Sequence, residues 1–414
     1  MNKQNVAVVL GGTNPHIALI ENLKKRGYYT VLVDYYENPP AKQYADEHIR
    51  ESTLDLGEVL EIAKGQNATL IISACIDQAN ATACYVAEKL GLPAPYSYET
   101  ALQVTDKSVM KKMMLEGGVP TSKYITVNQV DDPSISLLSF PVVVKPGDAT
   151  GSKGVRKASN PSEYVDYLTE ALALSRSGEA IVEEFKTGDE FQADFFVKDG
   201  CANLIMIRKK SKLKSDDGAI LQSFGSIIPA EISSELENEF RVVANRIAKT
   251  FNLKNTSLFF QAIASETNVS VVEFAARVGG GLSYRMMQEI PKFDILSATV
   301  DSYVGKDVRV ECCTPSFSYA TVIVYAKSGV FGMVTGQDGL LASGDIQEFF
   351  LFKSKGVFIG NDLISGNRIC AVLIQAKDKG DLVKKMRNTI NELEVYDIEG
   401  QPLMHKEIYE DLKV

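Results

Sequence analysis

Lys145 ends an apolar run, PVVVKP, and the loop GDATGSKGV follows, gathering Gly147, Gly151, Gly154, Ser152 and Lys153. Small residues let backbone amides approach phosphate oxygens and the lysines add point charge, so an anion-clasping flap is one reading. A glycine-rich, solvent-exposed hairpin is the other. The loop is no Walker A motif, because GxxxxGK[ST] opening a helix does not occur in it. Further on, VEEFKTGDEF sets Glu183 beside Glu184 at a strand end and places Glu190 after a glycine-containing turn. Adjacent acids at a strand end often just face solvent. The segment also holds what a nucleoside asks for, acceptors for an exocyclic amine and a carboxylate for a ribose diol. Two neighbouring strands, SLFFQAIAS and VSVVEFAARV, then carry Gln261 and Glu273, with Arg277 close behind the acid and Gly279, Gly280 and Gly281 next. Oxygen ligands on adjacent strands suit Mg2+, which takes few protein ligands and completes its shell with phosphate and water. Plain cross-strand partnership is the alternative. It is weakened because an unpaired carboxylate or arginine in an apolar strand is costly.

In order and approximate spacing, Lys107 in TDKSVMKKMM, Lys145 with GDATGSKGV, VEEFKTGDEF, and Gln261 with EFAARVGGG resemble the ATP-grasp superfamily. The likeness is greatest to its carboxylate-amine ligases, related to carbamoyl phosphate synthetase large chains, biotin carboxylase and bacterial L-amino acid ligases. It covers most of the chain. The resemblance implies that Lys107 and Lys145 contact ATP phosphates and that the flap of Gly151, Ser152, Lys153, Gly154 and Val155 closes over them. It implies further that Glu183, Glu184 and the backbone near Phe185 hold adenine and that Glu190 holds the ribose. Gln261 and Glu273 match magnesium ligands, and Arg277 matches the arginine that steadies the transferring phosphoryl group or the acyl phosphate. One departure matters. The family's ExNxR reads here Glu273, Phe274, Ala275, Ala276, Arg277, so Ala275 supplies no second ligand, and Gln261 is neutral where many relatives carry glutamate.

The implied chemistry is ATP- and Mg2+-dependent activation of a small carboxylate, with an amino acid among the candidates, as an acyl phosphate that an amine then attacks. A pocket for that carboxylate would form near GGLSYRMMQ, with Arg285 as its anchor or, equally, as a surface ion-pair residue. The rivals are a carboxylase or carbamoyl-phosphate-forming unit of the same fold, an ATP-binding module without turnover, and a nicotinamide-dependent dehydrogenase built on GGTNPH. In that last motif Gly11 and Gly12 follow a strand and Asp34 ends the next one, as in a dinucleotide fold. A simple tight turn into a helix explains the glycines as well.

The elements that must position these residues fall into an α/β and α+β chain. Residues 5–105 alternate apolar strands with helices, which predicts a parallel sheet covered on both faces. Helices are expected over 15–26, 56–64, 161–175, 233–250 and 378–392, and strands around AIVEEF, EFQADFFVKDG and CANLIMIRK. The organisation expected is a Rossmann-like pre-ATP-grasp domain over 1–105 and an ATP-grasp domain of two α+β subdomains over 106–305, its mobile lid at about 120–187. An α+β C-terminal cap follows over 306–414. Composition bounds the rest. Hydrophobic residues make 45% and charged residues 23% of the chain, ordinary globular values. With 44 basic against 53 acidic residues there is no broad cationic surface for nucleic acid. No apolar run approaches membrane-spanning length, and the start lacks a secretory signal, so a cytoplasmic protein is expected. The six cysteines lack metal-type spacing and read as buried thiols of a reducing compartment. The expected partners are a small carboxylate and an amine, with a homodimer as the commonest assembly.

Overall fold

The structure, a computed structural model, describes residues 5–148, 153–213 and 222–409. The leading part is a parallel sheet in the order Glu47–Ile49, Tyr29–Val33, Val6–Leu10, Leu70–Ile72. The strands Tyr29–Val33, Val6–Leu10 and Leu70–Ile72 are largely apolar on both faces because both are covered, whereas Glu47–Ile49 at the edge is only partly buried. Ala7, Val9 and Leu32 pack with Leu19, Ile20 and Leu23 of the helix Asn14–Lys25. Val8, Leu10, Val31 and Val33 pack with Val59, Ala63, Ala83 and Val86 of the helices Leu56–Gly65 and Asp77–Leu90. At the glycine turn, Asp34 accepts from the Gly12 amide at 2.7 Å and from the Tyr36 amide at 2.9 Å. A Cβ on Gly12 would come within 2.5 Å of Pro39. The acid that a dinucleotide fold would turn toward a ribose thus closes the tight turn instead.

A small antiparallel sheet follows, ordered Tyr124–Val127, Ala180–Glu184, Val142–Pro146, Arg156–Ala158. The helix Pro161–Leu174 backs it through Tyr164, Leu168 and Ala171. That helix starts where Asn160 caps the Glu163 amide and Pro161 takes the first turn, a position that needs no N–H.

The largest element is an eight-stranded antiparallel sheet. Its order is Asn268–Ala275, Thr256–Ser265, Asp189–Lys198, Cys201–Lys212, Ser223–Ile228, Ser318–Tyr325, Arg368–Ala376, Glu348–Leu351. Strands from beyond residue 305 therefore continue the sheet that begins before it. One face is aromatic. Phe191, Ala193, Phe195 and Phe260 pack on Phe240, Val243, Ala244 and Ile247 of the helix Ser234–Thr250. The opposite face changes character along its length, since alternate residues share a face. Phe196, Met206 and Ile228 lie under the helices Ser283–Glu289 and Ile295–Tyr303. Two residues on from Met206 comes Arg208, and two further Lys210, where the face turns polar.

Among the described residues no helix is long and apolar enough to cross a membrane. The expectation of uniformly buried cysteines is corrected: Cys84 and Cys370 are buried and Cys75 partly so, but Cys201, Cys312 and Cys313 are exposed. Cys201 begins a strand after a tight turn, and the other two lie in an extended connection, so no core forms over them.

Candidate active site

Asp106 caps the helix Lys107–Glu116, accepting from the amides of Ser108 and Val109, and so fixes the direction of Lys107 at its first turn. Lys111, one turn later, lies on the same helix side. Lys145 and Glu183 stand on paired strands two register positions apart, the diagonal relation that brings side chains together on one face. Their contact is 2.6 Å, between Nζ and Oε1. Lys111 reaches the other oxygen, Oε2, at 2.7 Å, an ion pair outside hydrogen-bond angles. It also donates to Thr121 Oγ1 at 2.6 Å, and Thr121 donates to the Val271 carbonyl at 2.7 Å. Burial alone would raise the Glu183 pKa, but Lys145 and Lys111 outweigh it and hold the carboxyl at about 2. Burial pushes Lys111 down, with Glu183 opposing, and pushes Lys107 down, with Glu273 opposing. Lys107 also feels Lys145, Asp77 and Glu183. Two buried ammoniums around one carboxylate, with a third beside them, leave this corner of the cleft cationic.

Across from it, the register lines up four polar side chains on four successive strands, Glu273, Gln261, Gln192 and Arg208. Glu273 and Gln261 make no hydrogen bond or ion pair with described residues, so their oxygens are free to take a ligand. An acid and an amide side by side, facing a cationic corner, fit one Mg2+ that relies on phosphate oxygens and water for its remaining shell. Ala275 offers nothing to a second ion. Among the described residues no cluster of three or more His, Cys, Asp or Glu could hold a metal by protein ligands alone.

Arg277 clasps Asp77, the first residue of the helix Asp77–Leu90, with Nε to Oδ1 at 2.6 Å and a second contact from Nη2. It donates also to the Val278 carbonyl at 2.8 Å and lies over the Phe259 ring. Burial disfavours its charge, yet Asp77 more than restores it. Lys107 thus lies within electrostatic reach of Lys145, Glu183 and Glu273, Arg277 within reach of Glu273, and Gln261 stands beside Glu273 in the strand register. The others stand apart. Glu184 accepts from the Ser139 amide at 3.3 Å and lies 3.8 Å from Lys186. The Phe185 amide donates to the Pro141 carbonyl, and Lys157 sits 4.5 Å from the Phe185 ring centroid. Glu190 pairs with Lys212. Arg285 is engaged by Glu348 at 2.9 Å and Glu289 at 3.4 Å, the surface ion-pair alternative. Of the flap, Gly151 and Ser152 lie outside the described residues, Lys153 is exposed, and Val155 is partly exposed. Gly154 has φ near +70°, where a Cβ would also meet Leu174 at 2.7 Å.

The sequence reading missed Lys111, Asp77, Gln192 and Arg208. Lys111 had a signal, since it follows Lys107 by one helical turn. Asp77 had a weaker one, an acid at a strand-to-helix junction. Gln192 and Arg208 are legible only once the strand register is known.

The fold thus joins a parallel α/β unit, a small antiparallel sheet and a broad antiparallel sheet, with the lysines of the small sheet opposite Glu273 and Gln261 of the broad one. Residues 138–285 match the ATP-grasp domain family. It is 26% identical over 303 residues to a phosphoribosylamine–glycine ligase of Lactococcus lactis subsp. lactis, covering 70% of each chain. It is 25% identical over 259 residues to an L-arginine-specific L-amino acid ligase of Bacillus subtilis, covering 61% of each. The fold is that of an L-amino acid ligase from Bacillus licheniformis, with a TM-score of 0.79, 16% identity and coverage of 96% of this chain and 100% of that one.

Proposed function

We propose that the protein is an ATP- and Mg2+-dependent ligase that activates a small carboxylate as an acyl phosphate and couples it to an amine. One observation carries this reading: three lysines, of which two bracket Glu183, face an unpaired acid and amide on the opposing sheet. Lys107 and Lys145 would bind phosphate oxygens. Mg2+ held by Glu273 and Gln261 would offset charge on those oxygens. A substrate carboxylate oxygen attacks the γ-phosphorus, its new O–P bond forming as the bond to ADP breaks. The amine, having lost a proton, then attacks the acyl carbon and inorganic phosphate leaves. Glu183 keeps the two inner lysines charged in a dry corner and fixes their positions before the nucleotide arrives. No protein nucleophile is required.

An amino acid as one substrate is supported by the names of two relatives, one acting on glycine and one on L-amino acids. Residues 1–105, 106–305 and 306–414 are proposed as leading, grasp and C-terminal units, with a lid at about 120–187. In the same reading the ribose falls to Glu190, the phosphates to the flap from Gly151 to Val155, and adenine to Glu184 and the backbone near Phe185, Glu183 being withdrawn from adenine because Lys145 and Lys111 engage both its oxygens. A cytoplasmic homodimer completes the proposal. Incubating the chain with ATP, Mg2+ and pooled L-amino acids tests it. Phosphate release that needs both Mg2+ and the pool is expected. Nucleotide binding without release under any carboxylate would favour the second reading, a module without turnover, to which Ala275 and neutral Gln261 point.

A further inference from the structure

Ala276 and Arg277 lie just past the end of the strand Asn268–Ala275, so the ladder of the large sheet does not fix them. The leading unit holds them instead. Its helix Asp77–Leu90 presents Asp77 in the first turn, and that carboxylate takes Nε and Nη2 of the Arg277 guanidinium. One turn on, Asn80 is 4% exposed and stands in a relay of polar groups that ends beside the same arginine. Tyr303 donates its hydroxyl to Asn80 Oδ1, Asn80 Nδ2 donates to Tyr96 Oη at 2.5 Å, and Tyr96 donates to the Ala276 carbonyl at 2.9 Å. The direction is forced from its end. A carbonyl only accepts, so Tyr96 must donate there and takes its own bond from the Asn80 amide. Burial raises the Tyr96 and Tyr303 hydroxyls well above their ordinary pKa, which keeps both protons in place for donation. Thr256 Oγ1 reaches the same carbonyl at 3.2 Å, but its single proton is shared with the Ser257 carbonyl at 3.4 Å, so Tyr96 makes the firmer bond.

We propose that Tyr96, steadied by Asn80, is a positioning residue that acts on the reaction through Arg277. The Ala276 carbonyl belongs to the peptide plane that enters Arg277, so a bond to it fixes where the side chain starts, while Asp77 fixes where it ends. Both holds come from one stretch of the leading unit, residues 77–96. A guanidinium has five N–H donors. Asp77 takes two and the Val278 carbonyl a third, which leaves one on each terminal nitrogen for two oxygens of a single phosphoryl group. A long side chain anchored at both ends keeps those two donors in place, and loss of the backbone anchor lets them shift. The role rests on the ligase reading, in which Arg277 steadies the transferring phosphoryl group.

Steady-state phosphate release by the full chain, with ATP, Mg2+ and pooled L-amino acids, tests the role. Tyr96→Phe removes the hydroxyl and keeps the ring. Its kcat is expected to fall about tenfold or more, while the KM for ATP, assigned to Lys107 and Lys145, changes by less than about twofold. Tyr303→Phe is the matched control. It removes a buried hydroxyl bonded to Asn80 that reaches neither Ala276 nor Arg277, and it should lower the melting temperature as much while keeping kcat within about twofold. In an Arg277→Lys background, Tyr96→Phe should lower kcat no further, because the group it positions has gone. Circular dichroism reports folding. Should Tyr96→Phe not fold, Asn80→Ser, which loosens Tyr96 but leaves its hydroxyl, carries the test with a smaller fall in kcat and the same KM. Equal kcat in the folded variant and the wild type would overturn the proposal. So would equal losses in Tyr96→Phe and Tyr303→Phe, the pattern of a purely structural bond, or losses in Tyr96→Phe and Arg277→Lys that multiply. A wild type that binds MgATP but releases no phosphate with any carboxylate counts instead against the ligase reading, and the role falls with it.

Discussion

Two cation clusters of the protein are of opposite design. At the small sheet, Lys111 and Lys145 bracket Glu183, whose carboxyl stays ionised down to about pH 2. On the large sheet, Arg208, Lys210 and Arg368 lie within electrostatic reach of one another, with Asp194 3.8 Å from Arg208 and Glu190, itself paired with Lys212, the nearer influence on Lys210. The first is a finished ion-pair network that positions charge without a ligand. The second leaves Arg208 Nε and Gln222 Nε2 without partners, and its middle lysine gives up much of its hold on a proton. The difference teaches where free energy is stored. A satisfied cluster contributes to folding, whereas an unsatisfied one opposes it.

The largest expected effect breaks the first cluster. Glu183→Gln leaves two buried ammoniums without their shared counter-charge and should cost about 3–5 kcal/mol of stability. Chemical denaturation at neutral pH measures it. The sign with pH is fixed, because the folded pKa lies below the ordinary carboxylate value of 4.5. The stabilisation is fully present above 4.5 and lost as pH falls through about 2, and the variant should not show that loss. Glu273→Ala should do the reverse. It is partly exposed and makes no direct ion pair with a described residue, though its charge favours the Lys107 ammonium, so stability should fall by no more than about 1 kcal/mol. Mg2+-dependent phosphate release should fall by about 100-fold or more. A variant that releases phosphate normally would remove Glu273 from the metal role.

The second cluster is sharpened by Lys210→Met. The folded state holds the Lys210 proton less tightly than the unfolded chain does, with a pKa of about 7 against 10.5. Between those values the unfolded state binds more protons, so wild-type stability gains as pH rises. The methionine variant should accordingly be more stable than wild type below pH 7, its advantage shrinking toward zero near pH 10.5. Thermal melts across that range, without added anions, read this out. A constant offset would mean that packing rather than charge sets the difference.

Much of this was open to sequence reasoning where periodicity or punctuation is local. The helices Pro161–Leu174 and Ser234–Thr250 were expected over 161–175 and 233–250, because Asn160 and Ser233 cap them and an apolar stripe runs their length. Short elements without caps escaped, among them the strand Glu47–Ile49 and the helix Ser283–Glu289, whose cap position Leu282 makes no side-chain bond. At the site, Lys107, Lys145, Glu183, Gln261 and Glu273 were singled out as types in order. Their partners were not. That Glu183 turns inward to two lysines, and that Arg277 clasps Asp77 two hundred residues earlier in the chain, are facts of tertiary contact with no local signature. The row of Glu273, Gln261, Gln192 and Arg208 depends on register across four strands, which no single strand encodes.

The smallest effect expected tests whether a third cationic position belongs with either cluster. Arg285 is the residue that sequence alone offers as a carboxylate anchor, and it is held by Glu348 and Glu289 on the outer edge of the large sheet. Surface pairs of this kind contribute between zero and about 1 kcal/mol, reduced further by salt. Arg285→Ala should therefore leave phosphate release and its dependence on the carboxylate unchanged, and shift the melting temperature slightly at low ionic strength and less at high. A rise in the KM for the carboxylate alone would bring Arg285 into the cleft as an anchor. The contrast between a satisfied and an unsatisfied cluster would then have to include a third kind, one whose counter-ions, Glu348 and Glu289, are displaced from the arginine when substrate arrives.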